Sequence, residues 1–193
     1  MKIKFNLILQ LFMSALLFMS FIFFTNGFES VLQINSFEYV DSPQLQHSEI
    51  LKSFYFQKTV NMEKDIIFNS IFDVNNYSKI FPDKILHVEI IDENDFSKSS
   101  FMTFNVFGMQ LVTQIQHETI DDSTQIITVL DGPSKNSKII LNFSELGSNT
   151  KIDANIFLKF KKPLSLLAIN MNENDFQAIF NKVIESFVNY TKT

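Results

Sequence analysis

The chain contains no arginine, no cysteine and no tryptophan, and only four glycines and four prolines among 193 residues. Each shortage removes a class of function. Without arginine there is no planar fork for bidentate recognition of phosphate or guanine, and all 16 basic residues are lysines. Without cysteine there are no disulfides and no thiolate metal sites. Four glycines are too few for a phosphate-cradling loop, and neither a P-loop nor a dinucleotide fingerprint occurs. Positive charge is also scarce: beyond Lys4, 14 lysines face 21 acidic residues, a formal charge of −7. A surface so negative repels nucleic acid and anionic headgroups, which excludes nucleic-acid binding. No cofactor is indicated.

What is abundant is phenylalanine, 23 residues, within an apolar fraction of 46%. Part of it is one long run. Phe5 to Phe24 is 20 residues without a charge, about 30 Å as a helix and long enough to cross a bilayer core. Lys2 and Lys4 precede it and Glu29 is the first charge after it, so positive-inside bias exports the remainder of the chain. The expectation is a signal-anchor over residues 1–27 that holds the domain outside the cytoplasm at the membrane. The alternative is a signal peptide cleaved near Thr25-Asn26-Gly27, with secretion. Residues 28–49, with Pro43 and His47, read as a linker holding at most one short strand near Gln33–Val40.

From Ile50 to Thr193 the pattern is that of one domain. Ser53–Val60 alternates as a strand. Asn61 stands at an N-cap position ahead of a helix over Glu63–Phe72, and Asn75–Ile80 reads as a second short helix ended by Pro82. Six strand-like runs come next, 84–93, 98–107, 109–120, 124–131, 137–145 and 150–160, separated by turn residues, so the sheet is an antiparallel meander. Its dry face carries Leu111, Thr113, Ile115 and His117, then Ile139, Leu141 and Phe143, then Ile152, Ala154, Ile156, Leu158 and Phe160. A C-terminal helix over Asn174–Tyr190 covers that face with the stripe Phe176, Ile179, Phe180, Val183, Phe187 and Tyr190.

This order resembles the START-like superfamily (SRPBCC), the polyketide cyclase/dehydrase and lipid-transport fold also called helix-grip. The residues that carry the resemblance are F-x-K-T-V at Phe56–Val60, I-F-D-V-N-N-Y at Ile71–Tyr77, S-K-I-F-P-D at Ser78–Asp83 and F-K-K-P-L-S-L-L at Phe160–Leu167. Similarity is greatest to the branch that holds polyketide cyclase-like proteins, coenzyme Q-binding-like proteins and relatives of a small carbon monoxide dehydrogenase component. The resemblance implies an α+β domain whose curved antiparallel sheet grips a long C-terminal helix around a cavity for a lipid, quinone or polyketide-like molecule. It also implies that the segment after the last strand helps form a cavity entrance, where Leu164, Leu166, Leu167 and Ile169 are either a lid facing the membrane or the first turns of the C-terminal helix packed on the sheet. No protein partner is indicated.

The expected cavity lining is Phe104, Leu111, Thr113, Ile115 and His117 from the early strands, Leu141, Phe143, Ile156 and Leu158 from the late ones, and Phe176, Phe180 and Val183 from the helix. Phe101, Phe107, Phe157 and Phe160 are further aromatic candidates. His117 either points inward, where it would donate to a quinone carbonyl or hydroxyl, or reaches solvent beside Glu118, and surface preference favours the second. His87 and Glu89 share a strand face, but with His117 they make a poor metal set. No catalytic residue emerges, since there is no cysteine and no serine in a nucleophile elbow. Non-catalytic binding of a hydrophobic molecule is therefore the first reading. The alternatives are a cyclase or aromatase using the same cavity and a solid interaction module of a membrane redox complex.

Overall fold

A computed structural model describes residues 50–106, 109–132, 134–160 and 172–192. The expected membrane segment, the linker with His47, the lid residues Leu164, Leu166, Leu167 and Ile169, and Phe107 lie outside the described residues, as does the side chain of Phe160. Strand β1 (Ile50–Val60) is followed by helix α1 (Lys64–Phe72), a 3₁₀ turn (Val74–Asn76) and helix α2 (Tyr77–Ile80). Strands β2 (Ile85–Asn94), β3 (Ser97–Val106), β4 (Met109–Asp121), β5 (Thr124–Asp131), β6 (Lys138–Leu146) and β7 (Asn149–Phe160) lead to helix α3 (Glu173–Tyr190).

All seven strands form one antiparallel sheet in the order β1-β7-β6-β5-β4-β3-β2. The meander β2 to β7 pairs by consecutive hairpins, and β1 closes on β7 with Phe56 opposite Ala154. Register shifts at Ile85/His87, Ile90/Asp92, Gln114/Ile115 and Thr119/Asp121 bend the strands locally. Such bulges add twist and let a sheet curl over a helix rather than lie flat beneath it. One turn depends on its glycine. Gly132 has φ +113°, and a Cβ there would stand 3.0 Å from Thr113 Oγ1, so both backbone and neighbour require hydrogen at that position.

The element order follows the sequence pattern, with differences at the ends. Helix α1 is capped by Glu63, not Asn61, and its cap makes no side-chain hydrogen bond. Asp73 caps the next turn instead, accepting from the Asn75 backbone N–H at 3.3 Å and from Asn76 Nδ2 at 2.6 Å. At the start of α3, Asn172 accepts from Asp175 N at 3.0 Å, satisfying one of the helix's free donors.

The dry face holds the core. On α3 the buried residues are Phe176, Ile179, Phe180, Ile184, Phe187 and Val188. Ile184 and Val188 therefore take places that helical spacing assigned to Val183 and Tyr190, which are half-buried. Helix α3 contacts β1, α1 and α2. Phe176 lies 4.3 Å from Phe54 and Phe180 5.7 Å from Phe56, ring centre to ring centre, while Phe187 meets Tyr77 at 5.3 Å and Phe81 at 5.4 Å. Buried amide and hydroxyl groups fix α1 and the turn before it to the sheet: Gln125 Nε2 donates to Phe68 O in the helix and Thr150 Oγ1 to Met62 O in the turn, each at 2.7 Å. Phe101 and Phe157 fall on the wet face, 39% and 36% exposed, and are not interior. Strand alternation puts them there, since Phe101 is one position from buried Met102 and Phe157 one from buried Leu158.

Candidate functional site

Between the sheet and α3 the packing leaves a partly enclosed cavity of about 90 Å³. Its wall is carbon almost throughout. Ile115, Val129, Ile139, Leu141 and Ile156 supply the sheet side, and Phe180, Val183, Ile184 and Phe187 the helix side. Tyr77 and Phe81 close it from α2 and the residue that ends it. The polar groups of the wall are Tyr77, His117 and Ser137.

The expected lining divides in half. Ile115, His117, Leu141, Ile156, Phe180 and Val183 stand on this wall. Phe104, Thr113, Phe143, Leu158 and Phe176 are buried in the core but not on the wall, and Leu111 is half-buried against the core. Alternation identifies a face but not the position along it where packing fails. Tyr77, Phe81, Ile85, Met102, Ile127, Val129 and Ser137 are wall residues outside the expected set. A signal for two of them was present, since Tyr77 and Phe81 are an i, i+4 pair and present one helical face.

His117 does not reach solvent. It is 2% exposed, because residues 113, 115 and 117 share the inward side of β4 and the strand continues beyond it to Asp121. It pairs with Lys98 on β3 and Ile127 on β5. His87 and Glu89 are exposed on the opposite side of the sheet from His117, so the three groups do not converge. Among the described residues no group of three or more potential metal ligands converges.

The Tyr77–His117 contact is the chemical feature of the wall. Tyr77 Oη lies 2.6 Å from the Ile71 carbonyl oxygen and 3.0 Å from His117 Nε2. A carbonyl has no proton, so the phenol proton must lie toward Ile71. The Tyr77 oxygen can then only accept from the imidazole, which places the ring proton on Nε2 and leaves Nδ1 as a bare acceptor. Burial, and then the nearby Lys98 charge, lower the His117 pKa to about 3, so the ring is neutral at physiological pH. Burial, with the Asp73 carboxylate, pushes the Tyr77 phenol far above its ordinary range. Nδ1 is buried and has no hydrogen-bond partner. Ser137, in contrast, is engaged: its Oγ accepts from Lys159 N at 2.9 Å.

No family model matches the chain, and no curated protein is similar to it in sequence. Solved structures are similar in backbone. Norcoclaurine synthase from Thalictrum flavum is 13% identical, with 77% of this chain and 100% of that chain covered and a TM-score of 0.58. The ZhuI aromatase/cyclase of Streptomyces sp. R1128 is 14% identical, with 74% and 94% covered and a TM-score of 0.55. Ara h 8.0201 is 14% identical, with 73% and 97% covered and a TM-score of 0.57. At such identities the likeness shows the fold alone: an antiparallel seven-stranded sheet packed around a C-terminal helix, the helix-grip architecture that the START-like resemblance implies.

Proposed function

We propose that this domain binds a small hydrophobic molecule in the cavity between sheet and helix, without performing chemistry on it, and that residues 1–27 tether it to a membrane with the domain on the extracytoplasmic side. The observation that carries the reading is the space itself, apolar on nearly every side and not filled by the surrounding phenylalanines. A solid interaction module has no use for a cavity, which lowers stability by withholding contacts from its lining. The aromatase/cyclase and norcoclaurine synthase folds place enzymes among the structural neighbours, and Ara h 8.0201 stands beside them. The polar corner argues against catalysis here. A histidine with a pKa of about 3 is a weak proton acceptor, whereas a general base works best with a pKa near the operating pH.

Size narrows the ligand. At about 90 Å³ the cavity is smaller than the roughly 150 Å³ apolar cavity that admits benzene, and well below a drug-sized pocket of about 300–1,000 Å³. A single ring or a short chain requires modest outward movement of the wall, and a sterol or polycyclic polyketide requires much more. Ile139→Phe would place a ring in the space. Native mass spectrometry of the full chain, purified gently from its own membranes, should find an apolar molecule on the wild type. In the variant occupancy should fall at least about tenfold with the circular dichroism retained, since overpacking costs only about 1–3 kcal/mol. A wild-type protein that carries no such molecule overturns the reading.

The tether rests on the 20 uncharged residues from Phe5 to Phe24 and their length against a bilayer core. The intact mass of the mature protein decides it. A chain retaining Lys2 and Lys4 in a carbonate-resistant membrane pellet is the expected result, while a chain beginning near Gly27 in the soluble fraction replaces the tether with secretion.

A further inference from the structure

The polar corner of the cavity has a direction. The neutral imidazole of His117 carries one proton, and that proton is committed to the Tyr77 oxygen at 3.0 Å. The ring therefore has no N–H to offer a ligand carbonyl, which removes the inward-pointing alternative in which it donates to a quinone carbonyl. Tyr77 has likewise given its only proton to Ile71 O at 2.6 Å. Ser137 Oγ is occupied by the Lys159 backbone N–H and lies 3.5 Å from the Lys159 carbonyl. Among the polar atoms of the wall residues, Nδ1 of His117 is the one buried without a partner. It is an acceptor.

We propose that the molecule bound here is an alcohol or phenol on an otherwise apolar frame, whose hydroxyl donates to Nδ1 of His117, so that the cavity selects hydroxyl compounds over ketones, quinones and hydrocarbons of the same shape. This rests on the proposal that the cavity is a ligand site. Selection arises from an asymmetry of hydrogen bonds: the net gain from one formed is modest, but a buried polar group left unpaired carries its full desolvation cost. A ketone brings a second acceptor toward Nδ1, and two lone pairs meet with no proton between them. A hydrocarbon leaves Nδ1 as it is. A hydroxyl satisfies it, and the relay of hydroxyl to Nδ1, Nε2–H to Tyr77 and Tyr77 to Ile71 O then points one way along its whole length. Such chains polarise cooperatively. The T-shaped packing of the two rings, 5.5 Å apart at 85°, keeps the relay in register.

The test pairs 4-ethylphenol with 4-ethyltoluene, in which a methyl replaces the hydroxyl, and cyclohexanol with cyclohexanone. Each is titrated calorimetrically into the full chain in nanodiscs, against empty nanodiscs. The expected result is a preference of about tenfold for each hydroxyl compound, lost in His117→Phe. If all four bind with equal affinity, the cavity is a ligand site but the donor rule is wrong. If none binds, the site itself fails. Because the variant also removes a contact to Tyr77, a wild-type measurement stands beside it. In ¹⁵N spectra of the histidine side chains, His117 should show a protonated Nε2 and a bare Nδ1, with the Nδ1 signal moving on addition of 4-ethylphenol and not of 4-ethyltoluene. A proton on Nδ1 in the free protein, or a signal that ignores both ligands, overturns the proposal.

Discussion

Phe176→Ala is expected to lower the unfolding free energy by about 3–5 kcal/mol, while Phe101→Ala costs less than about 1 kcal/mol. The two residues are chemically identical and both lie in regular elements, so the contrast isolates burial. Phe176 is 0% exposed at the first turns of α3, with its ring 4.3 Å from that of Phe54. Removing it withdraws contacts from β1 and α3 at once, and the cavity left there adds to the transfer loss because the surroundings relax only in part. Phe101 is 39% exposed on the wet face, where truncation returns little area to water. With no tryptophan in the chain, urea unfolding followed by far-ultraviolet circular dichroism is the suitable measurement. Equal losses in the two variants would mean that the sheet does not present its inner face to α3 as described.

Much of the fold was legible because its elements speak through periodicity. The inward rows of β4, β6 and β7 are strict alternations, and Phe176, Ile179, Phe180 and Phe187 recur at helical spacing, so core membership of Ile115, Leu141, Ile156 and Phe180 followed from the residues alone. The cavity was legible only in part. Whether Phe143 or Val129 borders unfilled space is decided by how β5 and β6 pass beneath α3, and no local pattern encodes that. The misjudgement of His117 has the same origin. A histidine near a glutamate on a polar-looking strand reads as surface, and only Tyr77, 40 residues earlier in the chain, supplies the hydrogen bond that makes its burial tolerable. Long-range partners of buried polar groups are what a single sequence hides best.

That same burial makes His117 the main source of acid sensitivity between neutrality and the onset of carboxylate titration. Its pKa is about 3 in the folded chain against 6.5 for the free side chain, so below about pH 6.5 the unfolded state takes up a proton that the folded state refuses. Stability held above the unfolded value is lost as pH falls, at about 1.4 kcal/mol per pH unit, until the folded pKa is approached, for a total on the order of 5 kcal/mol. The surroundings reinforce this. Lys98, opposite on β3, opposes a second positive charge, and the Asp73 carboxylate acts on the Tyr77 phenol. Two carboxylates shift in the same sense but act lower on the scale. Hydrogen bonds from the Ser123 hydroxyl and backbone hold Asp121 below its ordinary range. Burial disfavours the Asp153 charge, yet hydrogen bonds from Tyr55, Gln57 and Lys151 outweigh it. Both contributions are full above pH ~4 and fade only below it. Urea midpoints of the full chain from pH 7 to 4.5 should therefore fall steeply in the wild type and stay nearly level in His117→Phe, which has nothing to protonate at that position. Parallel slopes in the two proteins would show that the ring is not buried as a neutral acceptor, and with it the direction of the Tyr77 hydrogen bond would be lost.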